Sequence, residues 1–388
     1  MRKLLVLAVA VTMASLWSSP TRAEGGSELE ISGNVTTVTG WQRPTRNIGS
    51  GAGGILRDGL VGATAANVDS FGFFVDQVEL DLAKSFGENI RVRTDLDFSP
   101  HRAPAAGGVT LEQGYITANV PAGNGVELLV GRFNSGIGLD PIDRSELSTV
   151  SFSSAHRTLL PHSLTGARFG YDISEATRFE LFVVNDLADN APNAAGTTDI
   201  PSGGFNVIYS LGEEGNWVKF SGAAGPEVGG VKKQLSFLGD LSGQFAATDT
   251  LSLGAEGVFR QDDGRDVASE NAQYVGGQLK ATYAFSDIWD GTLRYGILWD
   301  PDTGKAGRAP AANAFTGGPG LATGGANATY GGVGLSAAGT MHSLSLATGY
   351  QIADGARLIL EGSVDVNRPS AGGTGYTPGL AGAFAYSF

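Results

Sequence analysis

The sequence contains no cysteine, and this absence removes several chemistries at once. Disulfides, thiolate nucleophiles and cysteine-ligated metal sites are excluded, and so is a lipoprotein anchor after the N-terminal segment. Charged residues are also scarce, at 17% of the 388 residues, whereas glycine is abundant, at 59 residues. No helical amphipathic stretch of any length is present, which argues against a helical protein.

Long apolar runs are absent too beyond the N-terminal segment. No run of about 18 apolar residues remains that could cross a membrane as a helix. A membrane protein without such runs must be a closed β-barrel, since only helices and closed barrels satisfy every backbone polar group in lipid.

The N-terminal segment has the pattern of a secretory signal. A basic start is followed by an apolar run over residues 4–17 and a small-residue tail that ends at Ala23. We predict a signal peptide over 1–23, cleaved before Glu24, and a mature domain over 24–388. The signal holds three of the 26 basic residues and no acidic ones, which leaves 23 against 39 and a net charge of −16. This acidic balance argues against nucleic acid and anionic lipid as partners.

The last ten residues alternate between two kinds of side chain, as an extended strand does. One face carries Leu380, Gly382, Phe384, Tyr386 and Phe388, and the other carries the small residues Ala381, Ala383, Ala385 and Ser387. This pattern resembles the closing strand of outer-membrane β-barrel proteins, where the assembly machinery recognises the terminal aromatic residue. The last strand of a soluble sandwich would alternate in the same way.

Short alternating segments follow one another along the rest of the chain. The clearest spans 90–98, where apolar residues and Thr94 alternate with Arg91, Arg93, Asp95 and Asp97. In a soluble sheet the charged face would be solvated on the outside, whereas in a membrane barrel it lines the lumen.

Short and long connections alternate between these segments, as periplasmic turns and external loops do in outer-membrane barrels. We predict long external loops over 43–70, 134–163, 187–203 and 301–340. The pattern predicts an all-β, antiparallel, up-and-down transmembrane barrel of about 16 strands, with about 14 or 18 as alternatives. Residues 330–338 could form an extra strand, and we assign them to an external loop or to a strand that extends above the membrane. Barrels of roughly 16 to 18 strands leave an aqueous channel.

Residues 131–186 carry a specific combination of segments. These are Gly131-Arg132-Phe133, the glycine-rich 136–140, Leu164 to Tyr171, and the strand 179–184 that closes on Asn185-Asp186. They resemble the OmpL-like group of outer-membrane β-barrel porins. The resemblance is specific over this central stretch and only architectural elsewhere. It implies a porin-like fold and export to an outer membrane, and it does not imply a substrate.

Catalytic and ligand-binding patterns are weak. His156 and His162 are six residues apart with no acid between them, which does not match a zinc motif. His101 near Asp95 and Asp97 is the best match to a barrel protease, although it is more typical of a wall residue. The acidic run 262–266 lacks the last glutamate of a calcium loop. We therefore predict no enzyme, no cofactor and no metal.

What remains is permeation through a charged constriction. Loop 134–163 carries Asp140, Asp143 and Glu146, and we expect these acids to lie opposite a basic wall if the loop folds into the lumen. That wall would consist of Arg91, Arg93, Arg132 and Arg168. Strand alternation places further charges on the lumen face: Arg178, Glu180, Lys219, Asp240, Glu256, Arg260, Arg294, Glu361 and Asp365. Any one of these residues could equally be an ordinary wall charge.

The sequence thus predicts an outer-membrane porin for passive diffusion of small hydrophilic solutes and ions. Two alternatives stay open: a structural or adhesive barrel plugged by its glycine-rich loops, and a barrel enzyme. The expected partners are outer-membrane lipid, the permeating solutes and the barrel-assembly machinery, which would bind the strand that ends at Phe388. A homotrimer is a further assembly compatible with this class.

Overall fold

The computed structural model describes residues 28–43, 45, 69–98, 109–185, 187, 201–212, 215–225, 235–262, 272–300, 339–369 and 373–388. The signal segment and most of loops 43–70, 187–203 and 301–340 lie outside these ranges, and so do His101 and residues 330–338. The predictions made for them are not addressed by the structure.

Sixteen strands account for nearly all of the described chain, and their bounds agree with the alternating segments of the sequence to within a few residues. Their bounds are β1 Glu30–Gln42, β2 Ser70–Phe86, β3 Ile90–Asp97, β4 Thr110–Val120, β5 Val126–Asn134, β6 Ser163–Ser174, β7 Thr177–Val184, β8 Ser202–Ser210, β9 Trp217–Gly225, β10 Ser236–Ala246, β11 Leu251–Asp262, β12 Ala272–Ser286, β13 Trp289–Asp300, β14 Gly339–Ala353, β15 Ala356–Pro369 and β16 Gly375–Ser387.

The strands form one closed barrel in which every strand pairs antiparallel with its neighbours in sequence. Closure comes from β1 and β16, which pair from Asn34 opposite Ser387 to Gln42 opposite Gly379. The predicted all-β barrel of 16 strands is therefore confirmed. Closure leaves no sheet edge with unpaired backbone groups, as a bilayer requires.

The two faces of the wall differ in the way that the alternating sequence predicts. On β16 the outward positions hold exposed Leu380, Phe384 and Tyr386, whereas Ala381 and Ala383 are buried on the inside. On β3 the inward positions hold the charged residues. The wall is therefore apolar outside and polar inside, as in membrane barrels.

The segment from Ser135 to His162, called the inner loop below, folds into the lumen. It contains a short 3-10 helix, η1 (Arg144–Glu146), and one α-helix, α1 (Ser154–Leu159). The helix η1 contacts β1 and β16, and α1 contacts β11, β12 and β13. In the described part of the chain, no helix is long and apolar enough to cross a membrane.

An apolar cluster fixes the inner loop against the wall. Ile137, Leu159 and Leu160 of the loop are buried together with lumen-facing Leu129 and Phe182 of the wall. Burying an aliphatic side chain of this size stabilises the packed state by roughly 1.5–3 kcal/mol. The loop is therefore part of the folded core.

Candidate pore constriction

The inner loop enters the lumen through two glycines. Gly136 and Gly138 have φ angles of 69° and 99°, in the left-handed region that disfavours other residues. The turn points their carbonyl oxygens at β9, where the ammonium of Lys219 donates to Gly138 O at 2.8 Å and also to Gly136 O. The glycine-rich segment that resembled porins is thus the point where the chain turns inward.

The loop then crosses to β11 and β12. The N–H of Leu139 donates to the carboxylate of Glu256 at 2.8 Å, and Asp140 Oδ1 lies 3.8 Å from Lys280 Nζ. Asp140 also accepts the N–H of Ser153 at 3.0 Å. Burial opposes ionisation of Asp140, but the nearby cations Lys280 and Arg294 outweigh it and lower its pKa.

A second anchor lies on β13 and β15. The guanidinium of Arg294, which is only 2% exposed, donates to Thr149 Oγ1 at 2.9 Å and to Ser151 Oγ at 2.6 Å. Glu361 lies 3.6 Å from the same guanidinium. The loop is therefore bound across the lumen by a buried, hydrogen-bonded ion pair.

A third anchor joins the loop to β2. Arg144 of η1 forms a 2.8 Å ion pair with Asp76, and its N–H donates to Gln77 Oε1 at 2.9 Å. Its guanidinium also stacks 4.0 Å from the ring centre of Phe152. Arg144 and Asp76 are both buried, so removing either would leave a charge without its partner.

The stack on Phe152 continues through two histidines. The ring of His156 lies 4.8 Å from Phe152 and 4.5 Å from His162, nearly parallel to both. His156 is 1% exposed, and neither ring nitrogen has a hydrogen-bond partner within the described residues. Burial and the neighbouring His162 hold the pKa of His156 well below its ordinary value. The neutral ring therefore serves as packing.

The wall from β3 to β7 carries a ladder of arginines in addition to Leu129 and Phe182, which pack against the inner loop. Arg93, Arg168 and Arg178 keep 31%, 19% and 29% of their side chains exposed. The carboxylate of Glu127 accepts from Arg168 at 3.1 Å and from Arg178 at 2.8 Å, and Glu180 accepts from Arg178 at 3.1 Å. Solvent therefore reaches these charges inside the barrel.

Beside this ladder lies a dense group of acids on β2, β3, β4 and the inner loop. Carboxylate oxygens of Glu79, Glu112 and Asp143 lie within 4.8 Å of one another, and so do those of Glu79, Asp81 and Asp95. We call these five residues and Glu146 the acidic wall. Oxygen ligands in this number are the kind that hard divalent cations prefer.

Only two of the four arginines of the predicted basic wall lie together near the inner loop. Arg93 and Arg168 face the lumen near the loop, whereas Arg91 pairs with Glu30 at 2.6 Å beside the short turn between β2 and β3. Arg132 departs from the expectation, because it shares the outward face of β5 with exposed Val130. Its guanidinium donates to the backbone oxygen of Glu112. The alternation along β5 places Arg132 on the outward face of the strand, whereas the next residue, Phe133, is buried on the lumen face.

The three loop acids that were predicted to face one basic wall lie in different surroundings. Asp140 lies against Lys280 and not against the predicted wall arginines of β3, β5 and β6, because the chain turns toward β12 after Gly138. Asp143 joins the acids Glu79 and Glu112. Glu146 is the predicted loop acid on which a predicted wall arginine, Arg93, acts electrostatically. It keeps solvent contact, while its partial burial and the neighbouring Asp143 raise its pKa.

Several residues that shape the constriction were not predicted. They are Gln77 and Glu79 on β2, Glu112 on β4, Glu127 on β5 and Lys280 on β12, together with the anchoring role of Arg294 and Glu361. Strand alternation in 126–133 would have placed Glu127 in the lumen. A register shift near Thr36 and Thr37, where Gln77 and Val75 are successive partners, obscures the period of β2.

Solved outer-membrane channels share this architecture. The outer membrane channel DcaP of Acinetobacter baumannii superposes with a TM-score of 0.64 at 12% identity, over 94% of this chain and 98% of that one. The anion-selective porin from Comamonas acidovorans gives 0.61 at 10% identity, over 94% and 100%. The trimer form of OmpT from Vibrio cholerae gives 0.57 at 9%, over 94% and 100%. At these identities the similarity shows the fold alone.

No curated protein matches the chain in sequence. A family model does, over residues 29–387, which is nearly the whole of the chain that follows the N-terminal segment. The family is described as "Putative beta-barrel porin-2, OmpL-like", and the predicted resemblance to that group is confirmed. The chain belongs to the OmpL-like β-barrel porin-2 family.

Proposed function

We propose that this protein is an outer-membrane porin that conducts small hydrophilic solutes and ions by passive diffusion. The observation that carries the proposal is the set of partly exposed charges inside the barrel. Arg93, Arg168 and Arg178 on the wall, and Glu146 on the inner loop, keep solvent contact although they lie within a closed cylinder. Water and ions would pass beside them.

The width of the barrel supports the same function. Sixteen strands enclose more space than wall side chains can fill, so a segment that folds inward narrows the passage and does not have to close it. The inner loop is bound mainly to β2, β9, β11, β13 and β15. The arginine-lined wall from β3 to β7 would border the remaining passage.

Single-channel recording in a planar bilayer tests this proposal. We expect stable, ohmic open steps from the purified protein, and none from heat-denatured protein added in the same detergent. A structural or adhesive barrel plugged by its loops would give inserted, heat-modifiable protein without open steps. That outcome would overturn the porin proposal and support the plugged alternative.

Export and orientation are proposals of the same kind. We expect the segment 1–23 to be removed on export and both termini to lie on the periplasmic side. An epitope tag near Gly317 should then label intact cells, and a tag in the turn 246–249 should not. Labelling of the second site on intact cells would invert the barrel. Mass spectrometry of the mature N-terminus checks the cut before Glu24.

We also propose a homotrimer in outer-membrane lipid. A neighbouring structure is a trimer form, and the outer face of β2 presents Phe71 and Phe73, which are among the most exposed apolar residues of the described chain. Native mass spectrometry in mild detergent would show the trimer.

Enzyme activity is not expected, and hydrolysis assays on solubilised protein with lipid and peptide substrates check that expectation.

A further inference from the structure

The acidic and basic side chains on the inner face of β2, β3 and β4 are unequal in number, and most of these acids are buried beside the passage. On β2, β3 and β4 the lumen face holds the carboxylates of Asp76, Glu79, Asp81, Asp95, Asp97 and Glu112. The same three strands contribute only Arg91 and Arg93 as lumen-facing cations. The inner loop adds Asp143 and Glu146 on the side that faces them and one cation, Arg144, which pairs with Asp76. Acids therefore outnumber cations in this part of the lumen.

The arginines that reach solvent are already neutralised by wall carboxylates. Arg91 pairs with Glu30 at 2.6 Å, and Arg93 pairs with Asp95 at 2.7 Å and with Asp81 at 3.6 Å. Arg168 and Arg178 share Glu127 and Glu180. An anion that enters the passage therefore meets arginines that are already paired with carboxylates, and not unpaired positive charges.

One acid of the acidic wall, by contrast, is held by neutral donors: Glu79 accepts from the side-chain amides of Asn34 at 2.7 Å and Gln77 at 3.0 Å. Carboxylates whose oxygens lie within 4.8 Å of one another repel, and either a proton or a passing cation relieves that repulsion, whereas an anion increases it.

We propose that the channel is selective for cations, and that its preferred solutes are inorganic cations and small organic ammonium or guanidinium compounds. This inference rests on the proposed channel function. The selectivity is a property of the whole lining and not of one binding site. Because the barrel wall has a low dielectric constant, the field of the acidic wall concentrates in the water-filled passage.

Reversal potentials in a KCl gradient test this inference on the full-length mature protein. We expect a K⁺ over Cl⁻ permeability ratio of roughly 10 at low salt, since charged clefts concentrate counter-ions about tenfold or more. The ratio should fall as salt rises from about 0.1 M to 1 M, because the screening length drops from about 10 Å to 3 Å. Lysine and arginine added as solutes should carry current, and glutamate should not.

The double variant Asp143→Asn with Glu146→Gln should lower the permeability ratio at least about twofold, because the charges lost lie beside the passage. The matched control removes two exposed charges from periplasmic turns, Asp249→Asn with Asp287→Asn, and should leave the ratio unchanged. A wild-type ratio that stays constant when the pH falls from about 7 to 4, across the titration of carboxylates, would also contradict the proposal.

The outcomes separate the two proposals. Absence of open steps overturns the channel function, and the cation preference falls with it. Open steps with a preference for Cl⁻, or with none, overturn the cation preference and leave the channel function standing. Cation preference that survives in the double variant, shown to be folded by its heat-modifiable mobility, would overturn the assignment to the acidic wall.

Discussion

Glu361 on β15 accepts both polar hydrogens that Ser151 of the inner loop offers, the hydroxyl at 2.6 Å and the backbone N–H at 2.9 Å. The two residues are 210 positions apart in the sequence. This bidentate contact, with Arg294 beside it, joins the loop to the far side of the barrel. It is one of several contacts that hold the inner loop in place.

Replacing Glu361 should therefore release the loop without preventing barrel assembly. Glu361→Gln leaves Arg294 buried without its counter-charge, which typically costs about 3–5 kcal/mol. We expect noisier single-channel currents and larger open steps. The control Glu175→Gln lies in an exposed turn and should record like the wild type. Quiet, unchanged currents from Glu361→Gln would show that the anchor is dispensable.

Adding one methyl group at Gly138 should disturb the entry of the loop. A Cβ atom there would lie 2.5 Å from Leu160 and 2.9 Å from Glu256, at a φ of 99°. The backbone strain alone costs about 1–3 kcal/mol. We expect Gly138→Ala to change the size of the open steps. Gly239→Ala on β10 has no atom within 4 Å of its added Cβ and is the matched control, so equal behaviour of the two variants would refute the argument.

Acid should loosen the histidine stack. The pKa of His156 is lowered in the folded state, so its contribution to stability is fully present above the ordinary pKa, near 6.5, and is lost as the pH falls below that value. We expect the hydrogen-exchange protection factors of residues 135–162, which correct for the slower intrinsic exchange in acid, to fall between about pH 7 and 5. His156→Phe keeps the stack on Phe152 and should remove much of that dependence. If this variant responds to acid like the wild type, other groups are responsible.

Arg91→Ser together with Arg93→Ser should shift the reversal potential further toward cations. The change frees the carboxylates of Glu30, Asp81 and Asp95 from their ion pairs and widens the opening, so conductance should rise as well. Arg132→Ser removes a cation from the outward face of β5 and should leave the reversal potential as it is. A shift in Arg132→Ser equal to that of the double variant would contradict the assigned faces.

Deleting Phe388 should block barrel closure. Its N–H donates to Gly33 O at 3.1 Å and its backbone oxygen accepts from Gly33 N–H at 3.2 Å, so the residue completes the pairing between the two ends of the chain. Heat-modifiable mobility and membrane extraction measure assembly. Phe388→Tyr keeps the backbone pair and the ring and should assemble. Normal assembly of the deletion variant would remove the terminal residue from the closure mechanism.

Strand number, strand bounds and the lining face followed from local pattern. Residues 90–97 illustrate this, because charged and apolar side chains alternate along them. In a membrane wall the apolar face of such a strand must point to the lipid and the charged face to the lumen. Arg132 illustrates a limit: it was grouped with the wall arginines by proximity in sequence, although the period of its own strand places it outside. The positions of Asp140, Asp143 and Glu146 could not be predicted, because the path of an irregular loop has no period.

The sequence by itself determined a closed, all-β barrel, since alternation, connection lengths and the absence of long apolar runs act locally and admit one class of fold. The tertiary structure alone decided where the inner loop lies and which charges meet. Contacts such as Leu139 with Glu256, or Arg144 with Asp76, join residues far apart in the chain. They depend on the register and closure of all sixteen strands, because only the closed cylinder brings those walls within reach of the loop.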